Sequence, residues 1–503
     1  MNTAEGFVNL FYERVAADPA RVFARHQGAA ITFGDLDRAS AQLAAVIRRN
    51  GVGRGERVAV MMRNSPLSLA FIYAIARAGN VWVPVNVALK RAGLEYMLGH
   101  SDPALIVADE EFAGQIAECP AARDVPLLLY GEHGLPAGDA VFDEPMPAPS
   151  DTAAILYTSG TTGPAKGVIV THQMLRLAAE GVAMCSAPRP GDDYFMWEPF
   201  FHIGGAQTLL MPLVRDVTLS LAQRFSASRF WQDVCETGST HIHHLGGVIQ
   251  ILLKQPPSPL DRAHNVRVAW GGGCATEVWR AFEERFGINI HECYGMTEAS
   301  SLTTYNDTGR LGSVGKPMPW FDVRLLDDDN KEVREGQAEI VVTTSLPGAI
   351  FPGYFRNPEA TAKALRPEGF RTGDLGSWDS DGNLYFHGRK SDSVRCRGEN
   401  VSSWEVEHVA GQHPDVEDSA MIGVATDIGE QDIKLFVQLK PGAKVDPQNL
   451  SNWLGERLAP FQLPRYIAFI DGFERTPSQR IMKHTLSSAQ DDCWDRLAAK
   501  SAV

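Results

Sequence analysis

Ala153-Ala154-Ile155-Leu156-Tyr157-Thr158-Ser159-Gly160-Thr161-Thr162-Gly163-Pro164-Ala165-Lys166-Gly167-Val168 runs from an apolar strand into a loop of glycines and hydroxyls that ends on a lysine. Such a loop is suited to phosphate. Glycines let backbone N–H groups approach an anion, the hydroxyls of Thr158, Ser159, Thr161 and Thr162 donate hydrogen bonds, and Lys166 adds a point charge. It is not a Walker A loop, because Lys166 stands between Ala165 and Gly167 and not in a Gly-Lys-Ser/Thr triplet.

On either side of this loop the apolar pattern alternates between strand and helix. Arg57–Arg63 and Val81–Val85 read as strands around a buried helix at Pro66–Ala78, the rhythm of a parallel sheet covered by helices. After the loop come a helix following Thr171, a strand near Val217–Leu219, a helix near Ala227–Thr237 and a strand at Val266–Trp270 that ends in Gly271-Gly272-Gly273. From Asp322 the rhythm changes to alternating strands, Asp322–Leu326 and Ala338–Thr343, which predict a small antiparallel barrel or sheet. Beyond Gly388–Asp392 a hairpin, a helix near Ser402, strands at Ser419–Val424 and Ile433–Leu439, a helix at Pro447–Ala459, an edge strand at Tyr466–Ile470 and a last helix form a compact α+β unit. The expected fold class is therefore α/β: a large N-terminal part of stacked α/β sheets with a small β-barrel-like subdomain, plus a small mobile α+β C-terminal domain. The boundaries are 1–388, a hinge at 389–392, and 393–503.

At 503 residues the chain exceeds one ordinary core. Its formal charge of -14 excludes nucleic acid and anionic membrane surfaces as general partners, so a polyanionic ligand must be met by local groups. Seven cysteines lack paired or metal-ligand spacing, and no signal or membrane-spanning stretch is present, so cytoplasm is the expected location.

Glu298 reads as a ligand for Mg2+, a hard cation that prefers carboxylate oxygen, with Thr297 beside it; the bland alternative for the pair is a helix start. Gly271, Gly272 and Gly273 end a strand, where open sheets bind ligands at their carboxyl edge, and the missing side chains leave a flat slot.

Five segments in order, the loop at 157–168, Phe200-Phe201-His202, Tyr294-Gly295-Met296-Thr297-Glu298, Arg371-Thr372-Gly373-Asp374-Leu375 and Gly388-Arg389, resemble the adenylate-forming superfamily of acyl-CoA synthetases, peptide-synthetase adenylation domains and firefly luciferase. The resemblance implies ATP-dependent activation of a small carboxylic acid to acyl-AMP and transfer to coenzyme A, with Mg2+ as the ion and crotonobetaine/carnitine-CoA ligases as the nearest flavour. A homodimer is left open. It implies catalytic roles for Thr158, Lys166, His202, Thr297, Glu298 and Arg480. Nucleotide or CoA contacts fall to Ser159, Gly160, Thr161, Thr162, Gly163, Gly272, Gly273, Cys274, Tyr294, Asp374, Arg389 and Gly398. By the same resemblance His241, His243 and His244 would line the acyl pocket, and Arg395, Arg397 and Lys434 are candidates for CoA phosphates.

Two positions depart from the pattern. Where the family reads Pro-Ser-Gly-Lys, this chain has Thr476-Pro477-Ser478-Gln479-Arg480, so Arg480 takes the adenylation lysine's place and Lys483 is the other candidate. The hinge position is Ser391. A carrier-loading adenylating enzyme and a non-catalytic nucleotide-binding relative are the competing readings.

Overall fold

The computed structural model describes residues 5–89, 91–138, 141–158, 165–390, 394–396, 399–401, 403–425, 431–458, 460, 462–475 and 481–501. Two large sheets dominate. One has the strand order 316–317, 304–306, 289–294, 268–272, 241–245, 192–196, 217–221, 22–26 and 29–32. Its strands from 289–294 through 22–26 are parallel, and the pairs at its two margins are antiparallel. The other has the order 127–130, 105–109, 57–61, 81–84, 152–158 and 166–171, parallel except for the last pair.

Helix Phe33–Arg49 begins at a reciprocal cap in which Thr32 Oγ1 accepts from Asp35 N and the Asp35 carboxylate accepts from Thr32 N. Helix Pro66–Arg77 has the same device in Ser65 and Ser68, with Pro66 supplying a preset first turn, and every one of its residues is buried. Helix His172–Ser186 is buried at every residue except Met184 and packs on strands of both large sheets, its buried charges Arg176 and Glu180 paired with Glu5 and Arg215. One apolar cluster joins Leu105 and Val107 of one sheet to Tyr194, Leu219 and Trp270 of the other, and continues to Val323 and Ile340.

Those last two residues belong to an antiparallel sheet in which 321–326, 338–344, 369–378 and 365–366 follow in order and 384–389 pairs with 369–378. The C-terminal unit has a separate apolar cluster, built from Val394, Val406, Leu435, Val437, Leu454 and Ile467 among others, around a sheet ordered 416–425, 431–439, 466–470 and 494–495. Tyr466–Ile470 is therefore not the edge strand that its sequence suggested. Trp494 and Asp495 pair on its outer side, and two residues are too short to show an alternating pattern. This unit rests on the larger one through His408 Nδ1 and Glu277 Oε1 at 3.2 Å, through the Lys254–Glu417 pair, and through the Trp404 ring, 5.4 Å from that of His387.

Candidate active site

The two arms of the candidate phosphate loop are the adjacent strands Thr152–Thr158 and Lys166–Thr171, with Thr158 opposite Lys166 in the register. Ser159, Gly160, Thr161, Thr162 and Gly163 lie outside the described residues, as do Gly398 and Arg480. Thr158 Oγ1 reaches the Lys166 carbonyl at 3.5 Å, and the Lys166 ammonium sits 5.0 Å from the centre of the Tyr354 ring. Sequence reasoning passed over Tyr354. Its hydroxyl donates to Glu298 Oε1 at 2.9 Å, so one aromatic side chain spans the distance between the loop's lysine and the carboxylate.

Glu298 and Thr297 lie on the short turn Thr297–Ala299, both buried. That turn is reached through Gly295, where a Cβ would collide with the Ser301 carbonyl oxygen. Burial pushes the Glu298 carboxyl above its ordinary range, and the Tyr354 hydroxyl and the charges of Arg389 and Lys166 oppose it. The same two cations therefore act on one carboxylate from separate parts of the chain.

On the other side of Arg389 lies a second group. Arg389 Nε is 3.0 Å from Asp374 Oδ1, and the Tyr294 hydroxyl donates to Asp374 Oδ2 at 2.8 Å. Asp374 and Arg389 are brought opposite each other by strand pairing, and Tyr294 ends the strand Asn289–Tyr294. Asp374 is only 3 % exposed yet carries a charge partner and a hydroxyl donor, an arrangement suited to accepting from a diol.

Gly272 ends the strand Val268–Gly272, and Gly273 and Cys274 follow it. A Cβ at Gly271 would strike the His244 carbonyl oxygen, so at this position glycine is required by close approach of two strands. The N–H groups of Gly273 and Cys274 both donate to Glu292 Oε1, the second at 3.1 Å. Glu292, also missed in the sequence, is buried, and burial pushes its carboxyl up to about 8 against the two backbone N–H donors.

His202 precedes helix Ile203–Thr208, its N–H donating to the Pro199 carbonyl and its ring 4.6 Å from that of Phe201. Asn64 fixes this corner: its Nδ2 donates to the Glu198 carbonyl at 2.8 Å, and its Oδ1 accepts from Phe200 N at 3.1 Å. Beside the corner, Glu198 Oε2 faces His243 Nδ1 at 2.5 Å. His241 stacks on Tyr194 with centroids 4.5 Å apart and its Nε2 bonds the Ser186 carbonyl, so it is a core histidine and not a pocket-lining one. Lys434 is likewise unsuited to CoA phosphate: it is fully buried and held by Asp492 and the Ala489 carbonyl. The side chains of Arg395 and Arg397 lie outside the described residues. Lys483 Nζ is held within the C-terminal unit by Ser403 Oγ and Glu407 Oε1, each at 2.8 Å.

The chain that carries this arrangement has relatives among known proteins. Residues 11–355 match the model of the AMP-binding enzyme family, and 405–480 match that of the AMP-binding enzyme C-terminal domain. The chain belongs to the AMP-binding enzyme family. Among its relatives is the crotonobetaine/carnitine–CoA ligase of Salmonella typhi, 32 % identical over 460 residues that cover 87 % of this chain and 89 % of the relative. The ATP-bound structure of MatB from Rhodopseudomonas palustris is similar with a TM-score of 0.87 at 27 % identity, covering 95 % of this chain and 98 % of that one. The fold is also shared with the anthranilate–CoA ligase AuaEII in complex with anthranoyl-AMP, at a TM-score of 0.87 and 22 % identity over 99 % of each chain. No helix among the described residues of this AMP-binding enzyme is long and apolar enough to cross a membrane.

Proposed function

We propose that this chain is an AMP-forming carboxylate–CoA ligase acting on a small polar acid. As a member of the family it is an enzyme of the acid–thiol ligase class. A carboxylate attacks the α-phosphate of ATP to give acyl-AMP and pyrophosphate, and the thiol of coenzyme A then displaces AMP. No protein base is needed for the first attack, since a carboxylic acid with pKa of ~4 is already ionised at neutral pH. Positioning and charge neutralisation carry that step.

The observation that carries this reading is the Tyr354 bridge between Lys166 and Glu298, together with Arg389, whose charge acts on the same carboxylate and which pairs with Asp374. Lys166 and the loop hydroxyls would meet the β- and γ-phosphates, Thr297 the α-phosphate, and Asp374 with Arg389 the ribose. Gly272, Gly273, Cys274 and Tyr294 would form the adenine slot, and His202 would meet the acyl carboxylate. Mg2+ fits Glu298, a buried oxygen donor. Among the described residues no cluster of three potential ligands exists, so phosphate oxygens and water would complete its shell. Bound there, the ion would neutralise charge on the departing pyrophosphate. The 389–392 hinge would swing the 393–503 lid between the half-reactions, Arg480 serving adenylation and Gly398 the thioester step, in the cytoplasm.

A short or polar acid is supported by the side chains behind the His202 turn. Trp270 is fully buried, its ring is 4.2 Å from that of His243, and His243 Nδ1 faces Glu198 Oε2 at 2.5 Å; an acyl group entering beside these side chains would meet polar partners that suit a short or polar acid better than a long alkyl chain. The test is acid-dependent pyrophosphate release across short-chain, aromatic and trimethylammonium acids, followed by a choice between CoA and a phosphopantetheinylated carrier protein. Turnover with a small acid and CoA is expected. ATP binding without turnover on any acid, or preference for the carrier, would overturn the reading.

A further inference from the structure

We infer that Tyr354 is a positioning residue that sets the spacing between the metal carboxylate and the phosphate lysine. The inference rests on the functional reading above and deepens it. Tyr354 touches both elements with different parts of one side chain: its hydroxyl holds Glu298 Oε1 at 2.9 Å, and its ring face lies under the Lys166 ammonium at 5.0 Å. A carboxylate with one oxygen held by a fixed donor presents the other in a defined direction, the same logic by which outer hydrogen bonds orient metal ligands. An aromatic face 5.0 Å from an ammonium favours its lying there without removing any of its donors.

The backbone around Tyr354 is tied to both partners. Its backbone bridges Val168 on the strand that carries Lys166, and the neighbouring bonds Phe355 N to Gly167 O, 2.7 Å, and Ile169 N to Gly353 O, 3.2 Å, extend that seam. Tyr354 N donates to Thr361 Oγ1 at 2.9 Å, and the ring packs against Phe351 with centroids 4.9 Å apart. Phe351 N in turn donates to the Glu298 carbonyl at 2.8 Å. Segment 351–355 thus clips Glu298, by backbone and by side chain, to the return arm of the phosphate loop. Lys166 and Glu298 are 132 positions apart in sequence (298 − 166), and this segment joins them.

Tyr354→Phe removes only the hydroxyl and keeps the ring, whereas Tyr354→Leu removes both contacts. The experiment measures Mn2+ binding to the full-length enzyme saturated with a non-hydrolysable ATP analogue, by loss of the free-ion paramagnetic signal, and AMP binding by calorimetry. Y354F is expected to weaken Mn2+ binding five- to tenfold while AMP affinity stays within twofold, because AMP needs neither the metal nor Lys166. Y354L is expected to weaken Mn2+ binding equally and to weaken the ATP analogue a further threefold or more through Lys166. Mn2+ affinity of Y354F within twofold of wild type, or AMP and Mn2+ weakened in parallel, would overturn the inference while leaving the enzyme's function intact. Wild-type enzyme that binds neither analogue nor Mn2+ would instead overturn the functional reading, and the inference with it.

Discussion

Arg389 and Asp374 form an ion pair of 3.0 Å across two paired strands, and the Asp374 carboxylate also receives the Tyr294 hydroxyl. The strand register fixes Asp374 in place, and two donors hold its charge in a nearly dry setting. Asp374→Ala would remove both acceptor oxygens offered to the ribose and leave Tyr294 without its partner. Hydrogen bonds to a charged group are each worth about 1.5–3 kcal/mol. The KM for ATP should therefore rise by at least about tenfold while the KM for the acid moves little, a split that steady-state kinetics will read. Equal changes in both constants would mean that Asp374 is only a structural residue.

Glu298→Gln keeps the shape and the hydrogen bond from Tyr354 but removes the charge that suits a divalent cation. Acid-dependent pyrophosphate release should fall by at least about a hundredfold, the scale seen when a preorganised electrostatic group is lost. A variant within threefold of wild type at saturating Mg2+ would remove Glu298 from the metal site.

Lys483 is tied to Glu407 and Ser403 inside the C-terminal unit. Lys483→Ala should cost less than about 1 kcal/mol of stability, as for other partly exposed pairs, and leave adenylation within twofold. Arg480→Ala should lower acid-dependent pyrophosphate release at least tenfold, and Arg480→Lys should preserve or raise it. If K483A is the damaging variant and R480A is silent, the two residues exchange roles.

Acid stability offers a separate check on the core. His172 packs against Phe7, neither ring nitrogen makes a hydrogen bond, and burial holds its imidazole down to about 4. Burial likewise holds His241 at about 4 and His244 at about 3. Below the ordinary value near 6.5 the unfolded chain takes up protons that the folded one refuses, so stability falls as pH drops from 6.5 towards 4, by about 1.4 kcal/mol per pH unit for each such group. Above 6.5 the effect vanishes. His172→Phe should reduce the loss of the urea midpoint between pH 7 and pH 5; an unchanged loss would show that His172 does not titrate in this way.

The strands at 57–61, 81–84, 152–158, 217–221 and 268–272 were readable as short apolar runs set between helices and turns, and burial of helix 66–77 followed from its apolar content, whereas strands such as 105–109 and 192–196, buried along their whole length, offer no alternation to read. The candidate phosphate loop and Glu298 were singled out from residue chemistry and motif order. Tyr354, Asn64 and Glu292 were not, since each acts on a partner brought close only by tertiary folding: Tyr354 and Glu298 are 56 residues apart, and Asn64 and Glu198 are 134 apart. Lys434 was misjudged for the opposite reason. A lysine in a strand looks like solvent-facing charge, and only the fold reveals Asp492 against it.

The most direct measurement is a crystal structure of the enzyme with Mg2+ and a non-hydrolysable ATP analogue. The triphosphate should lie between the 158–166 loop and Glu298, with the ribose hydroxyls on Asp374. A nucleotide whose phosphates touch only one of those two elements, with the other distant, would contradict the proposal that loop and carboxylate grip the same tail.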